Sequence, residues 1–386
     1  MRVFADLHIH IGKAKGKPVK ITASSDLTLE NILNTALLEK GLNIVGIVDA
    51  ASPNVLEEID ELINKGDLIE LENGGYIYKE KIVLFLGSEI ETLEKTGVAH
   101  SLVYFPKIKQ MKEFSKKMEK YVKNINLSSQ RASINAKELV KIADNLGGVL
   151  IPAHIFTPFK SFYACFDRLF YAFENCFEKI KFIELGLSAD SFMADHICEL
   201  EDKIFLSNSD AHSLEKIGRE FNEFFTEELN FESIFLQKKE ESKITSNYGL
   251  NPKLGKYHRT RCDKCGFIAE NEPPVISCPN CKNEGVVVGV LDRVFLIKDK
   301  DYKKPEHRPP YIYHCPLEFI PGIGKKTRKL LLEEFKTEIT VLYFAEIGEI
   351  ARYCGDKIAN KIQKIRDGRL DYKSGGGGIY GRVIIE

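Results

Sequence analysis

No apolar run in this chain of 386 residues approaches the roughly 20 residues that a membrane-crossing helix needs. The opening segment, Met1-Arg2-Val3-Phe4-Ala5-Asp6, lacks the charged and apolar regions of a signal peptide and runs directly into a strand-like stretch. Membrane insertion and export are therefore not expected, and the reading is a cytoplasmic protein. No segment repeats another. Net charge is also nearly absent, at −1, but this hides an asymmetry. Residues 252–386 hold 25 Lys and Arg against 18 Asp and Glu, whereas residues 1–251 hold 30 against 38. The basic part suits a polyanion, and cations would offset some of the charge of the acidic part.

What is present, at 44% hydrophobic and 29% charged residues, is ordinary globular composition in a chain too long for one ordinary domain. Seven short apolar runs carry metal-ligand residues at one end. Arg2–Leu7 leads into His8-Ile9-His10, Ile44–Val48 into Asp49, and Val83–Ser88 into Glu89. His100 opens Ser101–Phe105, and Val149–Ala153 leads into His154. Phe182–Ile183 leads into Glu184, and Ile204–Ser209 into Asp210-Ala211-His212. Helix-like stretches separate most of these runs, among them Leu29–Lys40 (capped by Thr28 or Asp26), the basic Lys107–Lys123, and Asn135–Leu146 before Gly147-Gly148. Strands alternating with helices predict an α/β barrel, a distorted (β/α)7, over residues 1–250. Such folds gather their sites at the strand carboxyl ends, so these side chains converge. Period 2 puts His8 and His10 on one face, and Asp210 and His212 likewise. Imidazole with carboxylate suits zinc, manganese or iron. Two or more ions ~3.5–4 Å apart bind a phosphate and acidify a water.

Four of the nine cysteines are organised as Cys262-x2-Cys265-x12-Cys278-x2-Cys281, the spacing of a closed, structural zinc site in a module over 251–300. The other five read as small buried hydrophobes. Arg259, Arg261, Lys264 and Lys282 lie where they could touch phosphate, and Val286–Ile297 reads as a β-like stretch completing the module. Residues 301–386 read as helical: Gly324–Phe335, Glu338–Tyr343 and Ile347–Asp367. In Pro321-Gly322-Ile323-Gly324-Lys325-Lys326-Thr327, glycines precede a helix whose N-terminal amides could face phosphate. Lys325, Lys326, Arg328 and Lys329 add charge for counterion release. Lys17 and Lys20, with Lys13 and Lys15, form a candidate phosphate-gripping rim, and Arg131 and Arg219 are further candidates.

The ordered set Asp6–His10, Gly87-Ser88-Glu89, His100, His154 and Asp210-Ala211-His212 resembles the polymerase and histidinol phosphatase (PHP) superfamily. That resemblance implies a phosphoesterase site with two or three divalent ions. His8, His10, Glu89 and Asp210 would hold one, Glu89, His100 and His154 a second, and His212 would belong to a third. Here Asp49 is followed by Ala50, and Gly12–Lys20 contains no histidine, so a third ion would need Asp49 or Glu184 as a substitute. The PHP-like barrel, four-Cys module and helix–hairpin–helix-like tail together resemble the endonuclease Q family. Gly16–Ser24, Gly186–Asp190, Gly368-Arg369-Leu370 and Gly375–Gly381 carry the more particular likeness.

The resemblance implies a nucleoid-associated DNA-repair nuclease. It would cut 5′ of uracil, hypoxanthine, xanthine or an abasic site, leaving 3′-hydroxyl and 5′-phosphate ends. Asp210, Glu89, His8 and His10 would be its catalytic ligands, and the barrel ions would be zinc, manganese or magnesium. The lesion-base pocket is expected near Gly186–Asp190 and the zinc module. No sliding-clamp motif is seen at Ile384-Ile385-Glu386. Two other readings stay open. A histidinol-phosphatase-type enzyme would leave the module and tail idle, and a non-catalytic DNA-binding scaffold would leave the ligand set idle.

Overall fold

A computed structural model describes residues 1–237 and 242–384. Ile385 and Glu386, part of the segment read for a clamp motif, lie outside the described residues. The seven apolar runs are strands β1 (Arg2–Ile9), β2 (Ile44–Ile47), β3 (Ile82–Glu94), β4 (Gly97–Phe105), β5 (Val149–Pro152), β6 (Phe182–Glu184) and β7 (Ile204–Leu206). β1, β2 and β3 pair in parallel, as do β6 and β7. A few main-chain hydrogen bonds close the ring. Ile155 N donates to Glu184 O (3.1 Å) between β5 and β6, and His10 N donates to Ala211 O (3.1 Å) between the ends of β1 and β7. This is a distorted (β/α)7 barrel.

One link departs from the alternation. β3 runs past Glu89 and turns directly into β4, which pairs antiparallel with it and with β5. A reversed strand starts at the rim where its neighbours end, so His100, near its start and opposite Glu91, reaches the same rim as the other ligands. Tyr104 of β4 fills the space beside Gly46 and Gly87. A Cβ on Gly87 would lie 2.5 Å from the Tyr104 ring, which accounts for the glycine in Gly87-Ser88-Glu89. Outside the ring, β8 (Phe221–Phe225) pairs antiparallel with β1, β9 (Lys243–Leu250) with β8, and β10 (Tyr311–His314) runs parallel to β9.

Helices α1 (Leu29–Thr35), α2 (Pro53–Lys65), α3 (Ile108–Met118) and α4 (Ala136–Asn145) cover the barrel. Thr28 rather than Asp26 caps α1, which continues as a π-helical turn over Ala36–Lys40. Asn135 caps α4 by accepting from Glu138 N at 2.9 Å. α3 stops at Met118, short of the expected Lys123, because Tyr121 and Val122 turn back to pack on the core.

Val286–Ile297 is mostly helix, not strand: only Val286–Val287 pairs, and Val290–Ile297 forms α5. Val290, Val294 and Ile297, at helical spacing, bury in the same core as the barrel helices. An apolar run with little polar interruption reads the same in either state. The C-terminal helices are α6 (Lys325–Phe335), α7 (Ile347–Cys354) and α8 (Asp356–Arg366), with a π-helical turn over Thr340–Phe344. The expected single segment Ile347–Asp367 breaks at Gly355, whose φ of +84° a helix cannot accommodate.

The divisions expected near residues 250 and 300 are both bridged, the second by β10 on the barrel sheet and the first by α5 in its core. The C-terminal glycine loop lies back on the segment after β9: Gly375 N donates to Lys253 O (2.8 Å) and Gly381 N to Leu254 O (3.0 Å). No helix among the described residues is long and apolar enough to cross a membrane.

Lys40 at the end of the α1 turn and Glu338 before the Thr340 turn form an ion pair of 2.8 Å with both side chains buried. Removing one partner strands the other charge. Lys40→Met should destabilise the chain by about 3–5 kcal/mol, read as a lowered denaturant midpoint, and an unchanged midpoint would contradict this role.

Candidate metal centre

At the barrel rim, each of four histidines turns one ring nitrogen inward and rests the other on a partner. His8 Nδ1 donates to Glu184 (3.0 and 3.1 Å to its two oxygens), and His10 Nδ1 to Asp49 (3.1 Å to each). His100 Nε2 lies 3.2 Å from Glu91 Oε2, and His154 Nδ1 lies 3.4 Å from Thr157 Oγ1. Such partners fix ring orientation and tautomer in metal sites.

The inward nitrogens meet carboxylates. His8 Nε2 stands 3.6 Å from Glu89 Oε1 and 3.5 Å from Asp210 Oδ1; His10 Nε2 stands 3.6 Å from Glu89 Oε2 and 3.4 Å from the same Asp210 oxygen. Both nitrogens are fully buried and have no hydrogen-bond partner. Ligand atoms about 2.1 Å from one tetrahedral ion stand about 3.4 Å apart, so these separations suit ligands better than hydrogen bonds. Two groups result: His8, His10 and Asp210, and Glu89, His100 and His154, each within 4.8 Å of one another. Glu89 faces both, with Oε1 3.5 Å from His154 Nε2 and 2.6 Å from His100 Nδ1. The donor set fits divalent cations.

The rim backbone is strained, and buried polar contacts hold it. Asp210 and His154 sit at φ +46° and +31°, a region non-glycine residues rarely occupy and one that clusters at functional sites. Arg219, expected to touch DNA, donates to Ser209 O (2.7 Å) and Asp210 O (3.3 Å), bracing the Asp210 backbone. Buried Asp6 accepts from Ser209 N (3.1 Å) and Gly218 N (2.9 Å).

Asp49 lies away from both groups, occupied by His10, Ile11 N (2.6 Å) and Ser128 Oγ. Glu184 is likewise occupied by His8 and by His154 N (3.1 Å). His212 belongs to neither group; its ring packs 4.5 Å from that of His10 and its Nδ1 lies 3.0 Å from Asp210 O. Glu91, Ser128 and Ser129 were not singled out by sequence. Glu91 could have been, since it repeats the period-2 spacing after Glu89; the serines carry no local signal.

Electrostatics follow from this crowding. Burial opposes a charged His8, yet Glu184, Asp210 and Glu89 raise its pKa to about 10. Burial would raise Glu89, but His100 and Lys20 hold it well below the usual carboxylate range. Burial lowers His212 despite Asp210 beside it.

The centre opens into a cavity of about 1010 Å³ whose walls come from distant parts of the chain. Gly186, Leu187 and Ser188 line it, as do Lys256, Tyr257 and Tyr380. Phe159 and Tyr257 meet edge to face at 5.7 Å, and Lys256 Nζ lies 5.2 Å over Tyr257 and 6.0 Å over Tyr380. Phe159 (55%) and Tyr380 (54%) are exposed. Lys17 stands exposed on the Lys13–Pro18 hairpin, and Arg131 is exposed with its Nε 3.2 Å from Glu91.

The second metal candidate is the cysteine quartet, with Sγ–Sγ distances of 3.6 Å for Cys262–Cys281 and for Cys265–Cys278. Four sulfurs about 2.3 Å from a tetrahedral ion stand about 3.8 Å apart. Cys265 N (3.5 Å) and Cys281 N (3.4 Å) donate to the sulfurs of Cys262 and Cys278. Arg259, expected near phosphate, is instead buried against Asp292 (3.2 Å). At the hairpin before α6, Gly322 takes φ +95°, Gly324 caps the helix, and Lys325 and Lys326 are exposed.

No family model matches the chain. It is 42% identical over 393 residues to the uncharacterized protein YqxK of Bacillus subtilis, covering 99% of each. Among solved structures, it matches the lesion-specific endonuclease PfuEndoQ of Pyrococcus furiosus at 35% identity and a TM-score of 0.84, covering 100% of this chain and 96% of that one. The chain belongs to the endonuclease Q family. A second endonuclease Q structure, in complex with a 27-mer duplex carrying an abasic lesion at the active site, matches at 35% identity and a TM-score of 0.85, covering 100% of this chain and 97% of that one.

Because His8 and His10 must shed protons to present their nitrogens, metal loading at neutral pH should release protons and strengthen as pH rises. Calorimetry with Mn²⁺ in two buffers of different ionisation enthalpy reads this directly; identical heats would contradict it.

Proposed function

We propose that this endonuclease Q-family chain is a metal-dependent DNA-repair endonuclease that hydrolyses the phosphodiester on the 5′ side of a deaminated base (uracil, hypoxanthine or xanthine) or an abasic site, leaving 3′-hydroxyl and 5′-phosphate ends. The observation that carries this reading is the pair of buried Nε2 atoms on His8 and His10 that lack a hydrogen-bond partner, facing Asp210 and Glu89 at the floor of the large cavity. His8, His10, Asp210, Glu89, His100 and His154 would hold the barrel ions, which are zinc, manganese or magnesium. Asp49 and Glu184 orient histidines rather than ligate. Bound there, divalent ions would acidify a water and neutralise charge on the phosphate.

The chain's own residues do the rest. Glu184 and Asp49 hold the two inward nitrogens in place, and Arg219 holds Asp210. Phe159, Tyr257 and Tyr380 offer faces on which a base turned out of the duplex can stack, and damaged or mispaired bases cost less to extrude. The Gly322–Lys326 hairpin, with exposed Lys325 and Lys326, suits backbone phosphate held without base readout. The four cysteines would hold a structural zinc ion. A phosphatase for small monoesters would use the same ions but has no use for the hairpin or the aromatic wall. A DNA substrate would suit a cytoplasmic, nucleoid-associated protein.

Nicking of end-labelled duplexes that carry one uracil, hypoxanthine or abasic site tests this reading, with Mg²⁺, Mn²⁺ or Zn²⁺ supplied. The expected product is a single nick immediately 5′ of the lesion, abolished by Asp210→Ala; turnover of a simple phosphomonoester with no nick on any duplex would refute it. Removing Lys325 and Lys326 together should weaken duplex binding alike for all sequences and reduce the salt slope by about 2. An unchanged slope would take the hairpin out of the interface.

A further inference from the structure

Lys20, expected on an open rim, is turned into the metal centre. Its side chain is only 11% exposed, and Nζ donates to Glu89 Oε2 at 2.9 Å and to Ser129 Oγ at 2.6 Å. Ser129 donates to the same Glu89 oxygen from a left-handed backbone, φ +52°. The loop that delivers Lys20 is pinned from both sides: Lys20 N donates to Ile11 O (3.0 Å) and Ser128 N to Val19 O (3.0 Å). The ammonium therefore shares with His10 Nε2 the edge of Glu89 that ends in Oε2.

Among the described residues, only two ligand groups form in the barrel. His212 is outside both, and Asp49 is fully engaged by His10, Ile11 and Ser128. Among the described residues no further set of donors gathers for a third barrel ion, yet a cation already stands beside Glu89.

We propose that Lys20 supplies, as a fixed ammonium, the third cation of this centre, and that it is a catalytic residue whose remaining N–H donates to the scissile phosphate. The proposal rests on the endonuclease reading above. Its charge balance is simple. Glu89, Asp210, Asp49 and Glu184 are four carboxylates, which two divalent ions would cancel, while Glu91 has its own, exposed cations, Lys160 at 2.8 Å and Arg131 at 3.2 Å, outside this buried count. Lys20 then leaves one positive charge for the single negative charge of a phosphodiester. An ammonium has three donors. Glu89 and Ser129 take two, and Lys20 lines the cavity, so the third is free for substrate. A cation held by the fold needs no reorganisation as charge develops on the phosphate.

Equilibrium dialysis of the whole protein against Mn²⁺, followed by atomic emission, counts the ions, and abasic-duplex nicking gives the rate. The wild-type chain should hold two barrel ions, counted as manganese plus any zinc beyond the one zinc ion that the four thiolates retain. Lys20→Met should hold the same ions, nick about 10²–10³-fold more slowly, and recover part of the rate in ethylammonium. A third barrel ion in the wild type, or a Lys20→Met rate equal to wild type, overturns the proposal. So does a rate loss accompanied by loss of ions, or one that ethylammonium does not restore, since either assigns Lys20 to packing. If the wild type nicks no lesion duplex, the endonuclease reading fails and the catalytic role of Lys20 falls with it, whereas a nicking wild type with an unaffected Lys20→Met overturns the Lys20 proposal alone.

Discussion

The centre depends on two carboxylates that face the outer nitrogens of histidine rings. Glu184 and Asp49 each take the Nδ1 of a buried ring, and only because they do are the two Nε2 atoms aimed at Asp210 and Glu89. Glu184 also accepts from His154 N, so one side chain at the end of β6 orders ligands from β1 and from the end of β5. Packed close together, these acids repel one another, and the fold tolerates that because histidines, Lys20 and backbone amides surround them. The barrel core sets the distances, and the acids set the angles.

Most of this was legible in the sequence, for a physical reason. A strand's period of 2 and the habit of α/β folds to place sites at strand ends turn a linear pattern into a convergence, and the chain carries seven such ends. His100, read at the start of its run, fits because β4 runs backwards. What stayed illegible depends on direction at atomic scale. A carboxylate at a strand end looks the same whether it meets an ion or the far side of an imidazole, so Asp49 and Glu184 could not be sorted. Lys20 is one of four lysines in a loop, and only its contact with Glu89, 69 residues away, sets it apart. Val290–Ile297 offered an apolar run with too little polar punctuation to separate helix from strand, and Gly355 broke a helix whose apolar period continues on both sides.

The cavity shows why segments far apart in the chain belong to one unit. Barrel residues make its floor, the segment after β9 contributes Lys256 and Tyr257, and the C-terminal glycine loop carries Tyr380 to its edge. That loop is fastened by main-chain hydrogen bonds at Lys253, Leu254, Lys256 and Arg259, and Gly376 and Gly377 lie so near Arg259 and Arg261 that a Cβ would collide. The loop's glycines thus have a packing reason, and the wall of the cavity is as well determined as its floor.

The way the ring closes also constrains how the chain comes together in time. β1 finds its neighbours at β2, at Ala211 and at Phe221–Phe225, so the strand bearing His8 and His10 is translated well before the partners on its other side. Pairings of such large sequence separation form slowly, because chain entropy is spent before the contacts return it. On a ribosome, the second edge of β1 stays unpaired until some two hundred further residues have been made.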